Sequence, residues 1–543
     1  VDASGNIYVA DYNNHRIQKI QLAPQITIPA GYSTGKISII GIEDDEFTSE
    51  EDETIILTPS SSTFGTLAST DPTTLTLLNN STTLVRQTNE PFLGLSKGAV
   101  SWGDYDNDGD KDVVIMGQNS SGAVTKLYQN INGEFKDTNT SFKKLFDGDI
   151  TWVDLNKDGN IDIVASGYNK GPKTRIYINK VTNFKLTNDN YGLPELFASK
   201  MAWGDLDNDG DIDLAISGMD KDDNYVFDIY YRENGKDNFI KETDFNQQGF
   251  INGDLKIGDF DLDGDNDIIF SGMNSSADAV GGVIYNTFLK SENNSNQWNN
   301  WQWNNQVQAK YSSIEVYNKN GTMNFLVSGE FGSADFNIKG TNDANLIYNK
   351  PKLKKGDISI ADFNNDGNLD LVFTGENSEG VAVSELHVGQ LQRPNLPASG
   401  GYTKSSIDLL GLTESTADWV DYDMDGDLDL FLTGIDGQTG AKAILYKTEV
   451  RNKKNTAPPI ITGLKAENLG FGKIKFSWDA PIDDYSSNLG YTLRLGTTPG
   501  GSELSNTLSD NETGGRLINQ PPSIYTNFFE TQLDPGKYYF SVQ

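Results

Sequence analysis

The chain has 543 residues, too many for one hydrophobic core, and a formal net charge of −34 at pH 7. That charge argues against nucleic acid or an anionic membrane surface as a partner. It has no cysteine, which excludes a disulfide framework and thiolate chemistry, and no apolar run of membrane-spanning length.

Residues 1–20, VDASGNIYVADYNNHRIQKI, read as two short strands around an Asn-rich turn. Through Asp2, Gly5, Asn6, Tyr8, Val9, Asp11, Asn14, His15, Arg16 and Ile17 the stretch resembles the end of an NHL propeller repeat. One repeat cannot bury its own face, so upstream sequence is expected, and His15 reads as a turn or packing residue. Residues 21–81 alternate apolar and polar positions, as in QITIPAG, GKISIIGI and ETIILTPS, which predicts antiparallel β-structure. They resemble the second half of a Calx-β sandwich, a family that binds calcium through acids at strand ends. The resemblance would give that role to Asp44, Asp45 and Glu53. A solvated acidic loop is the other reading.

Residues 82–455 carry one motif six times: D-x-[DN]-x-D-G-x-x-D. The first copy holds Asp104, Asp106, Asp108, Asp110 and Asp112, and the second Asp154, Asn156, Asp158, Asn160 and Asp162. The third has Asp205, Asp207, Asp209, Asp211 and Asp213; the fourth, Asp259, Asp261, Asp263, Asp265 and Asp267. Two more follow at Asp362, Asn364, Asp366, Asn368 and Asp370, and at Asp421, Asp423, Asp425, Asp427 and Asp429. Oxygens at positions 1, 3 and 5 of a tight turn can converge on one point, and the glycine at position 6 permits the reversal. Position 7 would offer its carbonyl, and position 9 would close the shell. A cation of calcium's size takes six to eight such oxygens. Without one, two carboxylates about 4 Å apart repel by roughly 4 kcal/mol at an effective dielectric near 20. One copy could be a solvated hairpin turn; six copies in matching strand context predict about six structural calcium ions.

The first acids stand 50, 51, 54, 103 and 59 residues apart, so one copy is degenerate. SIEVYNKNGTMNFLVSGE fills the double gap, and aligning its Asn-Gly puts Val316 at position 1, Asn318 at 3 and Asn324 at 9. Seven units of about fifty residues, each with four strand-like segments, predict an all-β fold, a seven-bladed β-propeller. The repeats resemble FG-GAP/VCBS repeats, as in the head of integrin α subunits and many bacterial surface proteins. The seventh unit lacks a fourth strand, and residues 82–88 are expected to complete it and remove two open edges.

Trp102, Trp152, Trp203 and Trp419 precede the first acid by two residues, where Ile257 and Ile360 stand in other units, and read as blade-to-blade packing. Tyr128, Tyr177, Tyr230, Tyr285, Tyr348 and Tyr446 read as packing residues on strand three. Trp301 and Trp303, among amides in NNSNQWNNWQWNNQVQ, could stack on sugar rings; a stiffened outer strand is the alternative. Residues 456–543 resemble a truncated fibronectin type III sandwich, with Trp478 on an alternating strand and Tyr539 at the tyrosine-corner position.

The chain has two histidines and no nucleophile elbow, so no catalytic centre is expected. The resemblances imply a secreted or surface-displayed bacterial adhesion module, with further domains on both sides. Its glycan or protein ligand would meet the propeller face opposite the metal loops. The alternative is the accessory or spacer region of a secreted polysaccharide-degrading enzyme whose catalytic domain lies elsewhere.

Overall fold

The computed structural model describes residues 6–11, 16–21, 53–57, 73–77, 82–88, 91–181, 183–187, 190–207, 209–232, 238–261, 265–286, 298–302, 310–319, 322–330, 332–337, 345–346, 351–389, 402–450, 458–470, 472–482, 489–501, 504–505, 517–518, 524 and 526–543. No helix occurs among them. The chain divides into two compact units, Val1–Thr83 and Leu84–Gln543. In the first, Asn6–Asp11 pairs antiparallel with Arg16–Gln21, and Glu53–Leu57 with Thr73–Leu77. Asp44 and Asp45 lie outside the described residues, as does His15.

The second unit is a propeller of repeats. Among the described residues, seven antiparallel sheets of four strands follow one another. The first runs Ser96–Gly103, Asp112–Asn119, Gly122–Ile131 and Glu134–Asp137 in simple order. Five more span 146–186, 197–241, 251–302, 313–346 and 358–404. The seventh joins Thr413–Val420, Asp429–Ile435 and Ala441–Val450 to Thr82–Arg86 from the far end of the repeat region, and the boundary between the two units falls within this last strand. Just beyond it, the Gln87 N–H donates to Leu445 O at 2.8 Å. Each first strand touches the next, and Thr413–Val420 touches Ser96–Gly103, so the series of inner strands closes on itself.

Period-two alternation explains the packing. The second strands are sandwiched between neighbouring sheets and read as continuous apolar runs, DVVIMG, DIVASG and DLFLTG, buried along their length. Trp152 and Trp102 pack in the clefts between sheets, and the indole N–H groups of Trp152 and Trp203 donate to Ser101 O at 3.0 Å and Thr151 Oγ1 at 2.8 Å on the preceding blade. The hydroxyls of Tyr128, Tyr177 and Tyr446 accept N–H bonds from Leu93, Lys143 and Leu410. The register corrects one expected member of that series and adds a histidine to it. Ile284 pairs with Ile268 where Tyr128 pairs with Val113, so Tyr285 stands one residue further on. His387 takes the position in the sixth sheet, against Phe373. Tyr348 lies outside the described residues.

The degenerate fifth hairpin is also re-registered. Tyr317 pairs with Asn324 as Gly258 pairs with Asp267. Asn318, not Val316, therefore stands at position 1, and the connection is two residues shorter than its relatives. A hairpin so shortened has no room for the nine-residue oxygen cradle.

A second pattern ties blades in pairs. Gly148-Asp149, Gly253-Asp254 and Gly356-Asp357 open the first strands of sheets two, four and six. Added Cβ atoms at those glycines would meet the carbonyl oxygens of Ser166, Ser271 and Thr374 at 2.1, 1.7 and 1.9 Å. Each aspartate accepts its own neighbour's N–H and one from the next blade: Asp149 from Ile150 and Met201, Asp254 from Leu255 and Ile314, Asp357 from Ile358 and Ala417. The following blades answer with serines, Ser199 on Ser166, Ser312 on Ser271 and Ser415 on Thr374. Burial pushes the Asp254 carboxyl up, but the ammonium groups of Lys256 and Lys200 outweigh it and hold it below its usual range.

The C-terminal segment forms a three-stranded sheet (Thr462–Gly470, Lys473–Asp479, Phe528–Gln532) and a two-stranded one (Leu493–Gly496, Tyr539–Val542) around Phe476, Trp478 and Leu495. The Tyr538 hydroxyl donates to Asp534 O at 2.6 Å, the kind of backbone bond expected of Tyr539. Leu517 and Ile518 leave this segment and bury against Trp152 and Ile161 of the propeller, and Leu517 O accepts the Asp104 N–H at 2.7 Å.

Asp149→Ala is expected to destabilise the protein by about 2–4 kcal/mol, because two buried N–H groups lose their acceptor. Asp149→Asn, which keeps one acceptor oxygen, should cost less; denaturant unfolding of both variants checks the ordering.

Candidate metal centres

Each acidic loop joins strand one to strand two, so the loops share one face of the propeller. The position-1 carboxylate organises the turn. Asp104 accepts the N–H groups of Asp108 at 3.1 Å and Gly109 at 3.0 Å; Asp154, Asp362 and Asp421 repeat both bonds, and Asp205 repeats the one to Gly210. The position-6 glycines require their identity, with φ of 102° at Gly109 and 93° at Gly426.

The position-9 aspartates are 0% exposed in all six loops. One oxygen accepts an N–H from strand three: that of Asn130, Asn179, Arg232, Asn286, Gly389 or Thr448. In five loops the other accepts the position-2 N–H, as in Tyr105 to Asp112 at 3.0 Å. Burial is the main reason five of these carboxyls hold their protons more tightly in the absence of an ion: Asp213 and Asp370 are raised, and Asp112 is pushed up to about 9 and Asp162 and Asp429 to about 8; neighbouring loop carboxylates add to the shift.

Among the described residues, four groups of carboxylates converge, with one oxygen of each within 4.8 Å of the others: Asp104, Asp106 and Asp108; Asp205, Asp207 and Asp213; Asp259, Asp261 and Asp267; Asp421, Asp423 and Asp425. These clusters could hold metal ions. The buried oxygens Asp106 Oδ1, Asp205 Oδ1 and Asp423 Oδ1 have no hydrogen-bond partner. An all-oxygen donor set with unsatisfied buried carboxylate oxygens fits a hard dication. Loops two and six carry amides, Asn156 and Asn160, Asn364 and Asn368, where the others carry acids. Asp263 lies outside the described residues.

The position-7 side chains reach to neighbours. Lys157 pairs with Asp211 at 2.7 Å, and Asn107 and Asn365 donate to Asn160 and Asp427 at 3.0 and 2.9 Å, each from the preceding metal-type loop. Asp110 accepts the Asn132 N–H. Position 7 therefore ties loops together through its side chain, leaving the carbonyl as the donor the motif reserves for an ion.

Sequence reading passed over the asparagines that end strand three. Asn130 Nδ2 donates to Lys111 O and across the blade boundary to Tyr422 O; Asn179 does the same to Ile161 O and Tyr105 O, and Asn286 reaches Leu206 O. The signal was present as LYQN, IYIN and VIYN, 17–19 residues after each position-9 aspartate. Trp301 lies on the strand Trp298–Gln302, opposite Val283, and Trp303 lies outside the described residues. His387 bonds Glu385 at 2.9 Å, which Lys404 also engages at 2.7 Å.

Residues 104–165 and 154–216 match the model of the FG-GAP-like repeat, and residues 1–20 match the NHL repeat. No curated protein matches the sequence. Among solved structures, the chain is similar to the six-bladed propeller lectin of Aleuria aurantia, described with a novel fucose recognition mode, at 12% identity over 59% of this chain and 97% of that one, TM-score 0.34. YjhT aligns at 11% identity over 66% and 99%, TM-score 0.35. A thermostable family-43 glycoside hydrolase aligns at 9% over 57% and 96%, TM-score 0.24. Superpositions this loose say nothing of what this chain binds.

A pH dependence follows. Asp112, Asp162 and Asp429 titrate near 4 when unfolded and are pushed up to about 9, 8 and 8 in the folded chain without metal. Their contribution is complete below pH 4 and lost as pH rises through 8 to 9. In chelator, the melting temperature should fall between pH 6 and pH 9, and saturating calcium should flatten that slope. Thermal melts by circular dichroism at three pH values test this; a chelated protein that melts higher at pH 9 than at pH 6 refutes it.

Proposed function

We propose that this chain is a calcium-stabilised, non-catalytic adhesion or recognition module, secreted or displayed on a bacterial cell surface. Its repeats form a seven-bladed propeller that binds a glycan or protein ligand on the face opposite the metal loops. The C-terminal segment is read as a fibronectin type III domain and residues 21–81 as a Calx-β-like segment.

The division of labour between the two hairpin sets carries this reading. All acidic turns join strands one and two. The turns joining strands two and three open onto the other face, and their tips differ in sequence: NSSG, DKDDN, NSSAD, NSEGV and DGQTG. Each is nevertheless braced by one side chain at its base. Asn119 accepts the Ser121 N–H; Asp220 those of Asp222 and Asn224; Asn274 those of Ser276 and Asp278; Asn377 those of Glu379 and Val381; Asp436 those of Gln438 and Gly440. Such a turn is rigid at the root and variable at the tip, which suits a recognition surface on a stiff scaffold. Trp301 and Trp303 are the candidate sugar-stacking residues on this reading.

The test is binding of the full chain, in calcium, to a glycan array and to intact cells. A saccharide or cell-surface signal, weakened about tenfold or more by Trp301→Ala with Trp303→Ala, would support the proposal, since one stacked ring contributes roughly 1 kcal/mol or more. A folded, calcium-loaded chain that binds neither would leave it a spacer.

A further inference from the structure

The six acidic loops differ at one place just outside the motif. The strand-three residue facing the position-9 aspartate is Gln129, Ile178, Tyr231, Tyr285, Val388 and Lys447 in sheets one, two, three, four, six and seven. In the first loop Gln129 Nε2 donates to Asp106 at position 3, at 2.7 Å. In the seventh, the Lys447 ammonium reaches the same position, Asp423, and also Asp425 at position 5, at 3.1 Å. Gln129 is neutral and brings no cation to positions 3 and 5 of loop one. Lys447 is a cation lodged between two of the carboxylates that an incoming ion would use. Asp423 divides its oxygens: Oδ2 faces the ammonium, while Oδ1 is buried without a partner.

We propose that Lys447 is a built-in counter-cation that makes the seventh loop the weakest calcium site of the series; this rests on the calcium reading above. A dication entering the loop either shares Asp423 and Asp425 with the ammonium or drives it out. The lysine stem is long and flexible, and its side chain is 30% exposed, so it can withdraw into solvent without disturbing strand three. The seventh sheet is also the one completed by Thr82–Arg86 from the other end of the repeat region. The ammonium offsets part of that loop's charge, which helps the closing sheet keep its geometry when calcium is scarce. Loop three also receives an ammonium, Lys157 at 2.7 Å, but on Asp211 at position 7, whose side chain the motif does not reserve for an ion. Loop two has a weaker relative of the Lys447 contact, Lys180 to Asp158 at 3.7 Å, but it is single and more exposed.

Isothermal titration of the full chain with calcium chloride tests the assignment. Wild type should show one site weaker than the rest by at least about tenfold, the size of effect expected when a like charge lies within a few ångströms of a bound ion. Lys447→Gln, which installs the residue of loop one, should move that site into the tight class, and Lys447→Arg should leave it weak. In chelator, Lys447→Gln should melt below wild type, because Asp423 and Asp425 lose their partner; saturating calcium should reverse the order. A wild-type isotherm with equivalent sites overturns the inference without any variant. So does a Lys447→Gln isotherm superimposable on wild type. Calcium binding with either of those results leaves the calcium reading standing, whereas no calcium uptake by either protein sinks both.

Discussion

The structure depends on burying a carboxylate at the ninth position of each acidic hairpin. That group is at once a hairpin staple, an anchor for strand three and a member of a crowded anionic cluster. Its two oxygens reach backbone N–H groups of its own turn and of the third strand, so it fixes how the first three strands of a blade meet. An asparagine, with a single acceptor oxygen, would meet one of these N–H groups and turn its own N–H2 donor toward the other. A carboxylate accepts both, and does so more strongly because charge-assisted bonds are the strong ones, but only if something stabilises the charge. Without an ion, burial drives the proton back on, and part of the advantage is lost.

The two ends of the first strands solve separate problems. At the acidic end, position-7 side chains and the strand-three asparagines cross from one blade to the next. At the opposite end, the Gly-Asp pairs reach the following blade's backbone, and serines answer them. Sheets two and three, four and five, and six and seven therefore form three similar couples, with the first sheet standing alone. Stability in such a ring is a sum of blade and interface terms, and polar ties at one end or the other add to the apolar burial of its interfaces.

The sequence disclosed the propeller because its loudest signal, the acidic turn, repeats with the blade. Apolar second strands such as DVVIMG were equally plain, since a strand covered on both faces loses its alternation. What stayed hidden were residues whose role depends on a partner far along the chain. Nothing local distinguishes Asn130 from a surface asparagine; its importance lies in Tyr422 O, 292 residues away in sequence. Asp149 was lost among many acids because its acceptors are filled by Met201 on another blade. Aligning on the Asn-Gly pair misplaces Val316, because the strands on either side keep register and the turn between them is shorter. Tyr538 and Tyr539 differ in a similar way: a one-residue choice in a strand reverses the face, and it is Tyr538 that makes the bond to Asp534.

The loops display several answers to the same electrostatic difficulty. Loops one, three and four concentrate carboxylates, leaving buried oxygens such as Asp106 Oδ1 and Asp205 Oδ1 unsatisfied. Loops two and six substitute amides at positions 3 and 7, reducing repulsion while keeping oxygen donors. Loop five shortens the turn and dispenses with the cluster. Loop seven keeps its acids and brings an ammonium into them. All of these leave the first and second strands in register, because that register is set by apolar packing of the second strand and by backbone bonds, not by the ion. The acidic cradle is thus an addition to a hairpin that already knows its geometry: charge in the turn tunes how strongly a blade is held, while the strands decide where it lies.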